Sequence, residues 1–254
     1  MIEVTAAHDV VTIRLAHGKA SALDLELVEA VALAFAETAQ TPARAVILTG
    51  TGSIFSAGVD LFRVTNEGRP YVERFLPALT RMALEIFTFP KPLVTAINGH
   101  AIAGGAIIGM MGDVRLMADG NGRFGMPELL VGVAFPPAIV EIVRACVPPP
   151  AAQSLMYTGR TVLPAEALRL GAVDEVVAPE ALAARAAELA HQLAALPPAA
   201  FAQAKRQLRD PAVHLAKRYM GEFEKDVTEQ WCDERTLEHI RTYLAKTVKK
   251  TASV

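Results

Sequence analysis

Asn98 to Asp113 reads NGHAIAGGAIIGMMGD, an apolar run that carries Gly104, Gly105, Gly109 and Gly112 at helix-like positions. Glycine inside a helix costs about 1 kcal/mol relative to alanine, so packing, a membrane or a ligand has to account for them. Pro92 to Gly112 carries no formal charge for 21 residues, about the length that spans a bilayer. Pro92 at its head and the turn-forming Asn98-Gly99-His100 in its middle break that reading. The segment is expected to be a buried strand, Leu93 to Ile97, a turn, and a core helix from about Gly104.

Outward from this segment, short Val-, Ile- and Leu-rich runs at Val10–Leu15, Ala45–Leu48, Val114–Met117 and Ala172–Val177 predict further strands. Between them, Leu27, Val31, Ala34 and Phe35 recur at helical spacing behind a capping Asp24, and Pro164 and Gly171 bracket another helix. Strands alternating with helices give an α/β core, taken as residues 1–196. Residues 197–254 are helical in pattern, with candidate helices at Ala199–Leu208, Ala212–Thr228 and Asp233–Lys246 and a Lys-rich tail expected to fray.

Twenty-five basic against 27 acidic residues leave no global field for nucleic acid or an anionic membrane. Cys146 and Cys232 form no C-x-x-C and accompany no His cluster of metal-ligand spacing, so no metal is expected. The amino terminus MIEVTAAHDV lacks an apolar h-region, and the expected setting is reducing and cytoplasmic. No G-x-S-x-G, H-E-x-x-H or P-loop is present, and Gly50-Thr51-Gly52 is followed by Phe55 where a dinucleotide fingerprint needs glycine.

What remains is a pair of glycine-containing turns that follow apolar strands, TGTGSIFSAGVDLF (Thr49 to Phe62) and NGHAIAGG. Each leaves unpaired backbone N–H groups at a helix start. Facing each other, the two turns would form an oxyanion hole for a developing enolate oxygen. Taken singly, either turn is better explained by tight backbone bends and close helix packing.

FSAGVDL (Phe55 to Leu61), NGHAIAGGA (Asn98 to Ala106), FGMPELLVGV (Phe124 to Val133) and YTGRTVLPAEALRLGAVDEVV (Tyr157 to Val177) resemble, in order and spacing, successive motifs of the crotonase, or enoyl-CoA hydratase/isomerase, superfamily. The resemblance runs from about residue 10 to residue 200. It implies a crotonase-like α/β fold of repeated ββα units, a helical C-terminal region used in trimerisation, a homotrimer or dimer of trimers, and an acyl-CoA thioester substrate with no separate cofactor. It places the backbone N–H groups of Val59 and Gly104 on the thioester oxygen. Ala57, Gly58, Asp60, Leu61, Gly105 and Ile107 fall on substrate-contacting positions, with Gly105 keeping Cβ atoms away from the thioester. Lys19, Ala20 and Ala22 fall on the segment lining the adenine end of CoA.

The family's hydratases use two glutamates. The second falls on Glu128 and the first on Ile107, which cannot transfer a proton. A lone glutamate resembles the enoyl-CoA isomerases, in which one base moves a proton from the carbon next to the thioester to one two carbons further along. The GVAFPP stretch, Gly132 to Pro137, is also more similar to the isomerases. The alternatives are a single-glutamate hydratase, a non-catalytic acyl-CoA binder, and a serine hydrolase using Ser56, His100 and Asp113. Among the remaining polar groups, His100 reads as a turn residue, Asp60 as a helix cap and Asp113 as structural. Arg63 to Phe75 reads as a mobile flap near the acyl chain, and Trp231 as an interface residue.

Overall fold

Because adjacent runs of β-branched and aliphatic residues can be buried on both faces only in a covered parallel sheet, they gather into one. The computed structural model describes residues 1–251, with side chains through Thr247. Its strands are β1 (Ile2–Ala7), β2 (Val10–Leu15), β3 (Ala45–Thr49), β4 (Ile54–Ser56), β5 (Leu93–Ile97), β6 (His100–Ile102), β7 (Val114–Ala118), β8 (Phe124–Gly125), β9 (Thr161–Val162) and β10 (Glu175–Val177). Its helices are α1 (Leu25–Ala39), α2 (Leu61–Glu67), α3 (Arg69–Phe87), α4 (Gly104–Met110), α5 (Glu128–Val131), α6 (Pro137–Cys146), α7 (Pro149–Thr158), α8 (Pro164–Arg169), α9 (Leu182–Ala194), α10 (Pro198–Cys232) and α11 (Glu234–Thr251).

Six strands form a sheet in the order β1-β2-β3-β5-β7-β10, parallel except for the β1–β2 hairpin. A second sheet, β4-β6-β8-β9, is built from strands of two or three residues. Three ββα units therefore repeat: β3-β4-α2, β5-β6-α4 and β7-β8-α5 each place one strand in either sheet before a helix. On one face of the large sheet, Leu182, Ala186, Ala190 and Ala194 of α9 recur every four residues and pack on Ile47, Val94, Ala96 and Leu116. The main core lies on the other face, where α1, α3, α4 and α6 meet.

The expected strands and helices are present with shifts of a few residues, and β1, β4, β6, β8, β9, α5, α6, α7 and most of α3 are additional to them. β1 was not anticipated because it is an edge strand exposed along nearly its whole length, with little apolar alternation. The last expected strand begins only at Glu175, since Ala172, though buried, closes α8 by donating its N–H to Ala167 O. Arg63–Phe75 is no flap: Gly68, at φ +62°, joins α2 to α3, and Tyr71, Val72 and Phe75 are core residues. The two helices expected either side of Pro211 are one helix of 35 residues.

A proline inside a helix costs about 3 kcal/mol, so tertiary contacts have to hold α10 across Pro211. Asp113 supplies them. Its carboxylate accepts from Lys205 Nζ at 2.7 Å, Arg209 Nη2 at 2.7 Å and the Leu93 N–H at 2.8 Å, tying α10 to the start of β5. Burial pushes the Lys205 amine down to about 8 despite this partner. Arg209 also donates to Phe87 O and Met111 O. α11 runs through Thr251, and the tail expected to fray ends in residues 252–254, which lie outside the described residues.

Two predictions follow from these contacts. Asp113→Asn leaves the buried Lys205 and the part-buried Arg209 without their counter-charge and is expected to lower stability by about 3 kcal/mol in urea unfolding. At Gly105 an added Cβ would lie 2.3 Å from Ser56 O and 2.8 Å from Ser56 Cβ, so Gly105→Ala is expected to cost about 1–3 kcal/mol in the same measurement.

Candidate active site

Parallel pairing of β4 with β6, and of β6 with β8, ends three short strands side by side. Ligands in parallel α/β sheets bind beyond such carboxyl ends. After β4 comes Ala57-Gly58-Val59, after β6 comes Ala103-Gly104, and after β8 comes Met126-Pro127-Glu128.

The first two turns carry backbone donors into one pocket. Gly58 has φ +80° and Ala103 φ +53°, and each immediately precedes a residue whose N–H is unpaired, Val59 or Gly104. Glycine adopts this conformation freely, whereas in alanine it stores on the order of 1–3 kcal/mol of strain. The turns touch: a Cβ on Gly58 would lie 2.6 Å from Ala103 Cβ and 3.1 Å from Gly104 N. Neither the Val59 nor the Gly104 N–H has an acceptor among the described residues, although four nearby N–H groups do. Ala57 N donates to Ala20 O, Gly58 N to Ser56 Oγ, Asp60 N to Leu23 O and Ala103 N to Gly125 O. Val59 and Gly104 both line the pocket. Two unpaired N–H groups there can hold an oxyanion.

The third strand end delivers a carboxylate. Glu128 is 9% exposed, and its Oε2 is buried without a hydrogen-bond partner. Burial raises its pKa to about 8, opposed only by its own main-chain N–H. Among the described residues lining the pocket it is the one carboxylate; Ile107, Ile108, Leu79, Met82, Ala83, Val131 and Ile139 make the walls apolar. A buried, unpaired carboxylate costs stability, and such costs concentrate where proton transfer needs them.

The C-terminal helices complete the wall from within the same chain. Trp231, at the end of α10, and Tyr243, in α11, both line the pocket. The Trp231 indole donates to Ala134 O at 2.8 Å, and Gln230 donates to Gly132 O while accepting from Ala134 N. Trp231 is thus a pocket residue of its own chain, contrary to the interface role expected for it. Neither it nor Tyr243 carries a local motif, and only the packing of α10 and α11 brings them to the site.

Of the sequence candidates, Ala57, Val59, Leu61, Gly104, Ile107 and Glu128 line the pocket, whereas Gly58, Asp60 and Gly105 do not. Gly105 faces Ser56 of β4, so close packing rather than clearance for a thioester explains it. Asp60 Oδ1 accepts from Phe62 N and Arg63 N as the cap of α2. Lys19, Ala20 and Ala22 lie outside the pocket, on a loop stitched to the first turn through Ala20 O, Leu23 N and Leu23 O. A serine-hydrolase arrangement is absent. Ser56 Oγ donates to Ser21 O, His100 Nδ1 accepts from Arg123 N, and Asp113 is engaged with Lys205 and Arg209.

Several known proteins are similar to this chain in sequence and fold. A carnitinyl-CoA dehydratase of Salmonella arizonae is 34% identical over 86% of this chain and 85% of its own. An enoyl-CoA hydratase from Mycobacterium marinum superposes with a TM-score of 0.82 at 27% identity, covering 89% of this chain and 99% of its own. The human mitochondrial delta3-delta2-enoyl-CoA isomerase shares the fold, with a TM-score of 0.90 at 23% identity over 98% of both chains. The enoyl-CoA hydratase/isomerase family model matches residues 5–249, and the chain belongs to that family, with its crotonase fold.

Proposed function

We propose that this chain is an enoyl-CoA isomerase that moves a β,γ double bond of an acyl-CoA thioester into the α,β position. The observation that carries the reading is a pocket with two free N–H groups and one carboxylate, Glu128, while Ile107 stands where the hydratases' other glutamate falls.

The thioester oxygen accepts from Val59 N and Gly104 N. Ionised Glu128 takes a proton from the α carbon: the C–H pair forms a double bond between the α and carbonyl carbons, the carbonyl π pair moves onto the oxygen, and the dienolate charge rests between the two donors. As the oxygen pair re-forms the C=O, the enolate pair becomes the α,β bond and the β,γ pair takes up a proton at the γ carbon. The same carboxyl then returns the proton to the γ carbon. The proton leaves and re-enters through one group, so no second acid and no cofactor is required. A water able to add across the double bond needs two or more polar partners, and the apolar walls supply few.

Hydration or dehydration is the second reading, favoured by the hydratase and dehydratase among the chain's relatives. In that case Tyr243 is the other proton-bearing side chain lining the pocket. Incubation with a β,γ-enoyl-CoA and with crotonyl-CoA decides between them. Isomerisation of the first with at least tenfold slower hydration of the second is expected, and the opposite preference would overturn the isomerase reading.

Two further outcomes concern Glu128. Glu128→Gln is expected to lower kcat on the β,γ substrate by about 10²–10⁴-fold, and wild-type kcat/KM is expected to rise with pH and level off above about 8, where the base is ionised. Its effect on stability has a defined sign. Because the folded pKa lies above the ordinary 4.5, the native state binds the extra proton between those values, and that stabilisation is lost as pH rises through about 8. Thermal unfolding should therefore show Glu128→Gln gaining on the wild type between pH 5 and pH 9 by on the order of a few kcal/mol.

A further inference from the structure

The pocket has a cavity volume of about 100 Å³. An apolar cavity of roughly 150 Å³ holds one benzene ring, so this space suits a chain of about four to six carbons, the thioester carbonyl included. Its largest wall residue is Trp231, 2% exposed. The indole is pinned at its nitrogen by Ala134 O, and Gln230 beside it grips Gly132, Ala134 and Thr236. Swinging the ring away would break a part-buried hydrogen bond and disturb the segment that follows Glu128. The neighbouring walls are also packed: Met111, Met82 and Ile139 are each 3% exposed or less.

We propose that Trp231 sets the upper limit on acyl length, making this chain specific for short acyl-CoA thioesters of about four to six carbons. The inference rests on the pocket being the acyl site, but not on which reaction occurs there. Trp231 is the one tryptophan in the chain, so its fluorescence reports directly whether an acyl group reaches it.

Binding of the saturated thioesters acetyl-, butyryl-, hexanoyl- and decanoyl-CoA, which cannot isomerise, provides the test. Calorimetry on the wild-type protein is expected to give a Kd for butyryl- or hexanoyl-CoA at least tenfold below that for decanoyl-CoA. Tryptophan emission should change little with free CoA or acetyl-CoA and shift clearly with hexanoyl-CoA. Trp231→Ala is expected to narrow the hexanoyl/decanoyl difference to less than threefold. Trp231→Phe, which keeps a ring in place, should hold it closer to the wild-type value and serves if the alanine variant does not fold.

Wild-type affinity that is flat or rises through decanoyl-CoA, absence of binding by every thioester, or a length profile unchanged in a folded Trp231→Ala variant would each overturn the limit. Failure of the isomerase reading is a separate result: no β,γ turnover with the length profile intact.

Discussion

Three short parallel strands, two or three residues each, constrain everything else at the site. β4, β6 and β8 contribute little burial of their own, yet their pairing determines that Val59, Gly104 and Glu128 emerge next to one another. The register leaves no room for larger residues where the turns cross. Gly99 is backed by Ser53 O, Gly58 by Ala103 and Gly105 by Ser56, each closer than a Cβ could stand. The glycines in these turns serve backbone proximity first, and the free N–H groups are its consequence.

Assembling such a site has a thermodynamic cost. Ala103 is held at positive φ, Glu128 Oε2 is buried without a partner, and two unpaired N–H groups belong to residues lining a largely apolar pocket. The surrounding core and the docking of α10 offset these terms. Asp113 is central to that docking because it joins Lys205, Arg209 and the start of β5 in one buried cluster. The same helix then carries Gln230 and Trp231 to the segment after Glu128, so the contacts that secure α10 also shape the pocket.

The chemistry follows from the scarcity of polar groups. A single carboxylate in an apolar pocket can move a proton along an acyl chain, whereas holding and activating water asks for more partners than the walls provide. Ile107 is well packed, 5% exposed, and replaces a potential acid with a wall. Its presence accounts for the isolation of Glu128 as well as for the reaction proposed.

By itself the amino-acid sequence determined the α/β alternation, the caps at Asp24 and Asp60, the glycine turns and the resemblance that singled out Val59, Gly104, Ile107 and Glu128. These are local signals: periodicity, capping chemistry and short motifs whose residue types are dictated by neighbours close in the chain. The continuity of α10 through Pro211, the helical state of Arg63–Phe75 and the strained Ala103 were not legible in this way, because each is imposed by partners far away in sequence. Trp231 and Tyr243 at the pocket are the clearest case. Nothing near them encodes the role, and only the docking of the C-terminal helices, across about a hundred residues of chain, brings them to Glu128.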